Sequence, residues 1–287
     1  MRTVFTAVLF SDMQKRENYN MKKEIKLWEN GAPYYKPEYG QKEPYIVEYT
    51  LDNGKKDNPC VIVIPGGGYG CVCDDHEGRK ICEMLNENGF SAFILEYRIT
   101  PYCHPVMEED AKRAIRLVRF NAEKFGIAPD KIGVIGFSAG GHLCCMAGLR
   151  YDYGRNDGDE IDSVSSRPDA VAPSYAVASF NKEITHMGTR ENCLGPDGDE
   201  ELAYALSSEN IVPDDAPPFF IWHTAQDGGV DPENSLRLAS ALIRKNIPCE
   251  LHIFPYGPHG IGLGEDTPLA CEWPSLYVKW LRHHFGC

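Results

Sequence analysis

A serine between two closely spaced glycines is the clearest candidate for chemistry in this chain. Residues 136–140 read G-x-S-x-G, with Ser138 at the centre. An apolar run at 131–135 precedes the motif, and a stretch typical of a helix follows at 141–147. A strand, a sharp turn and a helix in this order expose a serine hydroxyl as a nucleophile, and the glycines let strand and helix approach closely. We predict that Ser138 is the nucleophile and that the N–H of Ala139, at a helix N-terminus, faces developing negative charge.

A serine nucleophile needs a base and an acid, and candidates for both follow apolar runs typical of strands. Asp227 comes after the run 219–223, and His259 lies in a Gly/Pro-rich loop after the run 249–254. The order serine, acid, histidine, with each residue on a loop after a strand, is that of a hydrolytic triad. Asp231 is the second candidate for the acid, although its place before a predicted helix is more typical of a cap.

A run of glycines after the first buried strand could supply hydrogen-bond donors to an oxyanion. Residues 65–70 read P-G-G-G-Y-G. Glycines let backbone N–H groups approach a substrate carbonyl without a clash from a Cβ atom. We predict that Gly67, Gly68 and Ala139 form the oxyanion hole. A phosphate-binding loop is the weaker alternative, because the sequence motifs that define such loops are missing.

Three further side chains are candidates for the substrate pocket. Tyr69 follows the glycine run, His142 lies four residues after Ser138, and His76 lies in the acidic stretch 74–77. The stretch 74–77 is equally typical of a capped helix N-terminus. The nine histidines and eleven cysteines show no metal-ligand spacing, and we predict neither a metal nor a cofactor. The cysteines are scattered and their number is odd, which is typical of buried thiols in a reducing compartment.

Alternating strands and helices must position these residues. The predicted strands are an alternating, edge-like run at 45–51 and apolar runs at 60–64, 91–97, 131–135, 219–223 and 249–254; the predicted helices are 74–89, 106–125, 232–245 and 269–285. Continuously apolar strands separated by helices predict an α/β fold, with a mostly parallel central sheet covered by helices on both faces. Arg98 and Asp110 are expected to form a buried ion pair between a loop and a helix.

One stretch breaks this alternation. Residues 151–217 begin with a polar, acidic loop and contain only one candidate strand, at 169–173. We predict a small, lid-like insertion over the active site, with a plain surface loop as the alternative. We assign 41–287 to a single catalytic domain and 1–40 to an N-terminal extension and lead-in. Met21 resembles a natural start, and the residues before it resemble a signal peptide only faintly.

Composition narrows the classes of function. The chain has 287 residues, of which 43% are hydrophobic, enough for one large core. The formal net charge of −13 argues against nucleic acids and anionic membranes as partners. No apolar run approaches the ~18 residues that a membrane span needs. We therefore expect a cytoplasmic enzyme.

These motifs together resemble the esterase and lipase branch of the α/β-hydrolase superfamily, and more narrowly its acetylxylan and feruloyl esterase (xylan-esterase-like) group. The resemblance runs from about residue 40 to the end, and the matching motifs begin at Pro65, His76, Gly136, Trp222 and His259. It implies a Ser-His-Asp triad, an acyl-enzyme intermediate, and a small-molecule substrate with short acyl groups on sugar hydroxyls, such as acetylated xylo-oligosaccharides. Two departures are Pro65, where the hormone-sensitive-lipase-like esterases have histidine, and Asp231, where the narrower group usually has proline.

Two other functions remain open from the sequence. One is a serine peptidase of the same fold, which the glycine-rich loop disfavours. The other is a non-catalytic binding protein on a hydrolase scaffold, which the complete set of triad residues disfavours. A homo-oligomer is compatible with the sequence.

Overall fold

One sheet of eight strands organises residues 22–287, the part of the chain that this computed structural model describes. Its strands are β1 (Glu24–Lys26), β2 (Tyr45–Tyr49), β3 (Asn58–Ile64), β4 (Ser91–Glu96), β5 (Ile127–Phe137), β6 (Ala170–Ser174), β7 (Phe219–Thr224) and β8 (Cys249–Phe254). They lie in the order β1-β2-β4-β3-β5-β6-β7-β8. In this order, all neighbours from β4 through β3 to β8 pair in parallel. β1 and β2 pair antiparallel at one side of the sheet. The predicted mostly parallel sheet is confirmed.

Helices cover both faces of this sheet. They are α1 (Lys80–Glu87), α2 (Val106–Phe120), α3 (Ala122–Phe125), α4 (Ser138–Leu149), α5 (Met187–Leu194), α6 (Glu200–Ala205), α7 (Glu233–Arg244) and α8 (Trp273–Phe285). Side chains of β3 alternate between the faces. Ile62 and Ile64 belong to the apolar cluster that includes α2, α4 and α7, whereas Val61 and Val63 belong to the cluster that includes α1 and α8. Burial on both faces explains why the strands read as continuous apolar runs.

The pairing of β3 with β5 brings two candidate loops together. Ile64, the last residue of β3, lies beside Gly136, the second-last residue of β5. Parallel neighbours end at the same edge of a sheet, where α/β folds bind their ligands. The glycine run that follows β3 therefore begins next to the turn that carries Ser138.

Two expectations about individual elements are wrong. The stretch 45–51 does not form the edge of the sheet, because β1 pairs along its outer side. With three residues, β1 is too short to produce a recognisable period. The predicted helix 106–125 is interrupted at Asn121, whose side-chain amide donates to the Leu117 carbonyl where α2 ends.

The stretch 151–217 contributes both a core strand and a wall beside the candidate site. β6 lies inside it and pairs with β5 and β7. After β6, the N–H of Val177 donates to the Ser138 carbonyl at 3.2 Å. In α5, the Asn192 amide donates to the Gly68 carbonyl at 2.9 Å. This part of the chain therefore packs on both candidate loops, and its movement as a lid stays a prediction.

The predicted N-terminal extension and lead-in, 1–40, is described only from residue 22 onward. Residues 1–20 and Met21 lie outside the described residues. The described part joins the domain, because β1 extends the sheet and the Pro33 carbonyl accepts a hydrogen bond from the Arg98 guanidinium at 2.5 Å. The domain boundary at residue 41 stays a prediction.

The expected ion pair between Arg98 and Asp110 is confirmed. Both side chains are buried, and the shortest contact between guanidinium and carboxylate is 2.6 Å. Burial outweighs the attraction of the guanidinium and raises the pKa of Asp110 to about 6. The pair connects the loop after β4 to α2.

The described residues also show whether the predictions about membrane spans, cysteines and metal sites fit the structure. From residue 22 onward, no helix combines the length and the hydrophobicity needed to cross a membrane. All eleven cysteines fall in this part of the chain, and each is a free thiol. Within the same residues, no group of three or more His, Cys, Asp and Glu side chains is arranged to hold a metal ion.

Candidate active site

Ser138 lies in a strained turn between β5 and α4. Its φ angle is +53°, in the left-handed region that few residues other than glycine adopt. The surrounding strand and helix must hold this strain. A Cβ atom added at Gly140 would lie 2.2 Å from the Ile64 carbonyl oxygen and 2.3 Å from that of Pro65. The turn therefore needs glycine at position 140, as the sequence motif predicts.

The close approach at position 140 predicts a loss of stability when a methyl group is added. We expect Gly140→Ala to lower the free energy of unfolding by about 1–3 kcal/mol, because backbone atoms must shift to relieve the overlap. Gly228→Ala is the matched control, since a Cβ atom there meets nothing within 4 Å. Urea titrations followed by tryptophan fluorescence measure both. Equal stability of the two variants would contradict the close-approach argument.

The three predicted triad side chains form one hydrogen-bonded chain. His259 Nε2 lies 2.8 Å from Ser138 Oγ, and His259 Nδ1 lies 2.7 Å from Asp227 Oδ2. A carboxylate oxygen can only accept, so Nδ1 carries the proton and Nε2 is left free to accept the serine proton. This is the arrangement that activates a serine hydroxyl for attack on an acyl carbon.

Asp227 is held by more donors than the sequence suggests. Its Oδ1 accepts from the N–H groups of Gly229 and Val230 at 2.8 and 2.9 Å. Its Oδ2 lies 3.2 Å from Nε2 of His223 as well as near His259. Burial alone would raise the pKa of Asp227, but hydrogen bonds from His223 and His259 and from the Val230 N–H hold it well below its usual value. Asp227 therefore stays ionised.

His223 was not recognised as part of the site from the sequence. It is fully buried at the end of β7, and its Nδ1 lies 2.8 Å from the Ser235 hydroxyl. Its sequence signals are its place in the matching motif that begins at Trp222 and its spacing, four residues before Asp227. Such a spacing becomes meaningful only when the turn after β7 folds the acid back over the strand.

Asp231, the second candidate for the acid, lines the same open groove as Asp227 but makes a different hydrogen bond. Its Oδ1 accepts from the N–H of Glu233 at 2.9 Å, at the start of α7, and its side chain is exposed. No hydrogen bond joins Asp231 to His259 among the residues that the structure describes. Its position fits the helix-capping alternative stated for it.

The glycine run has the features of a donor loop. Gly67 and Gly68 have φ angles of +127° and +64°, which other residues adopt only at a cost. The Gly67 carbonyl accepts from the N–H groups of Gly70 and Cys71, at 2.9 and 3.1 Å. The N–H of Ala139 lies in the first turn of α4, where N–H groups have no partner within the helix. The role of Gly67, Gly68 and Ala139 as oxyanion donors stays a prediction.

Tyr69 and His142 lie behind this loop as buried side chains. Each is 1% exposed, and the Tyr69 hydroxyl lies 2.8 Å from His142 Nδ1. His142 Nε2 donates to the Leu206 carbonyl at 2.9 Å, so Nδ1 accepts from Tyr69. Burial lowers the pKa of His142 to about 4, which keeps the ring neutral. These contacts connect the glycine loop to α4, and a pocket role for the two side chains stays a prediction.

His76 and Glu77 differ in what they contact. The His76 side chain is 44% exposed and lies next to the loop that carries His259. Its role in a substrate pocket stays a prediction. Glu77 is buried and accepts a hydrogen bond from Gly66 at 2.8 Å. The helix-cap interpretation of Glu77 is wrong, because its carboxylate contacts groups outside its own helix.

Comparison with known proteins agrees with this geometry. A family model described as BD-FAE matches residues 48–242. Endo-1,4-beta-xylanase B of Butyrivibrio fibrisolvens is 37% identical over 245 residues, which cover 84% of this chain and 38% of that protein. Acetylxylan esterase of Xylanibacter ruminicola is 30% identical over 234 residues, which cover 76% of this chain and 46% of that protein. The chain thus spans less than half the length of either relative.

A solved structure of an acetyl ester hydrolase is similar to this chain over nearly its whole length. The acetyl ester-xyloside bifunctional hydrolase from Caldicellulosiruptor lactoaceticus matches with a TM-score of 0.88 at 45% identity, covering 91% of this chain and 96% of that chain. The resemblance stated from the sequence motifs is confirmed. The chain therefore belongs to the BD-FAE family, and the domain that it forms is a carboxylic ester hydrolase of the α/β-hydrolase superfamily.

Proposed function

We propose that this domain removes short acyl groups, acetyl above all, from sugar hydroxyls through a Ser138-His259-Asp227 triad. The observation that carries the proposal is the continuous hydrogen-bonded chain from Asp227 Oδ2 through His259 to Ser138 Oγ, with contacts of 2.7 and 2.8 Å. It lies beside a glycine loop at the edge of the sheet, where a substrate carbonyl has access to backbone donors. Nucleophile, base, orienting acid and donors are the parts that acyl transfer requires.

The first half of the reaction acylates the enzyme. His259 Nε2 accepts the proton of Ser138 while Oγ forms a bond to the ester carbon. The N–H groups of Gly67, Gly68 and Ala139 stabilise the negative oxygen of the tetrahedral intermediate. Protonated His259 then gives its proton to the ester oxygen as the bond to the alcohol breaks. Asp227 stabilises the imidazolium ring without taking its proton.

The second half releases the acid. Water takes the place of the alcohol, His259 Nε2 accepts one of its protons, and the hydroxide oxygen bonds to the acyl carbon. The second tetrahedral intermediate collapses, and Ser138 recovers its proton from His259. One ester and one water thus give one alcohol and one carboxylic acid. Every proton in this cycle passes through His259 Nε2, which is why the hydrogen bond from Nδ1 to Asp227 matters.

The surroundings of the triad support a polar alcohol. Beside Asp227 an open groove of ≈ 490 Å³ is lined by polar groups that include Thr185 and Glu183. Sugar hydroxyls can find hydrogen-bond partners there. The names of the xylanase and acetylxylan esterase relatives further support acetylated xylo-oligosaccharides as the substrate class.

A substrate panel tests the proposal. We expect acetate release from acetylated xylo-oligosaccharides, and rates on p-nitrophenyl esters that fall from acetate to butyrate to octanoate. Both activities should disappear in Ser138→Ala. Acetate release is measured by an enzyme-coupled assay, and p-nitrophenol release by absorbance. Activity on the nitrophenyl esters alone would contradict the sugar substrate, and cleavage of a peptide panel in preference to esters would favour a serine peptidase.

A further inference from the structure

A buried carboxylate outside the triad lies between two loops of the active site. Glu77 belongs to a single π-helical turn, Asp75–Arg79, and is 3% exposed. Both of its oxygens accept hydrogen bonds, as expected for an ionised carboxylate. Its partners come from two other parts of the chain, one after β3 and one after β6. Burying a carboxylate is costly unless donors compensate it, so this placement requires an explanation.

The first oxygen of Glu77 holds the start of the oxyanion loop. Glu77 Oε2 accepts from the N–H of Gly66 at 2.8 Å. Gly66 is tightly enclosed, because a Cβ atom there would lie 2.7 Å from Glu77 Oε2 and 3.0 Å from Ser138 Cβ. The residue after it is Gly67, a predicted oxyanion donor. The position of Gly66 therefore decides where the next N–H groups point relative to Ser138.

The second oxygen of Glu77 reaches the loop of the catalytic histidine through Tyr175. The Tyr175 hydroxyl donates to Glu77 Oε1 at 2.7 Å and accepts from the N–H of Gly262 at 3.2 Å. Gly262 lies three residues after His259, and the Tyr175 ring packs against the His259 imidazole with centroids 5.1 Å apart. Burial, and then the nearby charge of Glu77, raise the pKa of Tyr175 far above its usual value, so its hydroxyl stays protonated and keeps donating.

The loop that carries His259 makes a further hydrogen bond through the carbonyl of Gly262. The Trp273 indole N–H donates to the Gly262 carbonyl at 3.0 Å. Tyr175 itself has a φ angle of +36°, in the left-handed region, directly after β6. A residue other than glycine keeps such a conformation only where its surroundings impose it. The Glu77 and Gly262 contacts of the hydroxyl are part of those surroundings.

We propose that Glu77 is a positioning residue that connects the oxyanion loop to the His259 loop through Tyr175, and so sets their spacing about Ser138. The inference rests on the proposed triad mechanism. The transition state needs the oxyanion donors and His259 Nε2 at fixed positions on opposite sides of the serine oxygen. One carboxylate that is bonded to both loops fixes the oxyanion donors and His259 Nε2 relative to each other. Glu77 touches neither the substrate nor the reacting atoms.

Glu77→Gln tests the proposal with almost no change in volume. The amide oxygen can still accept from the Gly66 N–H, but the NH₂ group cannot accept the Tyr175 proton, so the hydrogen bond that Tyr175 donates to the carboxylate is lost. We expect kcat per active site to fall by about 10²-fold, because a misplaced group of this kind costs that much, with KM little changed. Active sites are counted by titration with a fluorophosphonate. Tyr175→Phe should also lower kcat, and the double variant should lose less than the two single losses combined.

A second readout distinguishes positioning from stability. A boronic acid forms a reversible tetrahedral adduct with the serine, and one of its oxygens occupies the oxyanion hole. Its inhibition constant should rise in Glu77→Gln and Tyr175→Phe in proportion to the loss of kcat. Glu83→Gln is the control, since Glu83 lies on α1 and its carboxylate pairs with Arg79, four residues earlier.

Two results would overturn the proposal. One is a normal kcat per titrated site in Glu77→Gln. The other is a lowered kcat together with an unchanged inhibition constant. A lower thermal midpoint with normal kcat per site would assign Glu77 a purely structural role. Failure of the triad mechanism is separately visible, because Ser138→Ala would then retain turnover.

Discussion

Replacing Ser138 with alanine is expected to lower kcat by about 10⁴–10⁶-fold, the largest effect of any single substitution in this chain. In the proposed mechanism this change removes the oxygen that forms the acyl-enzyme, while the predicted oxyanion donors and the histidine remain. What is left is catalysis of direct water attack by those groups, which is far weaker. Initial rates on p-nitrophenyl acetate and on acetylated xylo-oligosaccharides measure the loss for both kinds of substrate.

The control for this prediction is another serine. Ser163 is exposed, and its hydroxyl donates to the Glu160 carbonyl. Ser163→Ala should keep wild-type rates and should still react with a fluorophosphonate, whose fluoride leaves as Ser138 Oγ bonds to phosphorus. Near-normal turnover in Ser138→Ala would rule out the assignment. No labelling of the wild-type protein would instead favour a binding protein on a hydrolase scaffold.

Replacing Asp227 with asparagine is the second large effect, a fall in kcat of about 10⁴-fold. Oδ1 already accepts from two backbone N–H groups, those of Gly229 and Val230. The asparagine oxygen should take that place, which turns the amide NH₂ toward His259 Nδ1. Nδ1 must then accept, so the proton moves to Nε2, and the ring can no longer take the proton of Ser138.

Asp231→Asn is the matched control for Asp227→Asn. It changes the same chemical group four residues later, at the start of α7, where the carboxylate contacts Glu233. We expect kcat on p-nitrophenyl acetate close to wild type and only a small loss of helix stability. A pH profile of kcat/KM for the three proteins gives the comparison. A larger loss in Asp231→Asn than in Asp227→Asn would exchange the two assignments.

Much of the fold was predictable because its signals are local. Buried strands such as β3 read as unbroken apolar runs, and α2 shows an apolar face at helical spacing. The turn at Ser138 needs small residues within two positions on either side, so its motif is short and readable. The order of Ser138, Asp227 and His259 follows from the order of the strands that precede them. These features depend on neighbours in sequence or on a fixed topology.

Other features could not be predicted because they depend on contacts between distant residues. Glu77 and Tyr175 are separated by 98 positions, and nothing near either residue indicates the hydrogen bond between them. The acidic stretch around Glu77 has the composition of a helix cap, and a cap was the local interpretation. The hydrogen bond of His142 depends likewise on Leu206, which comes from the irregular stretch after β6.

The fold class, the nucleophile motif and the order of the candidate triad could be predicted from the residues alone, because spacing and periodicity encode these directly. How the loops are held depends on contacts in three dimensions. The fold brings His223 and two backbone N–H groups to Asp227, and places Glu77 between Gly66 and Tyr175. Hydrogen bonds to a buried carboxylate form wherever the fold brings donors close. Their partners are therefore set by strand order and loop path rather than by local sequence.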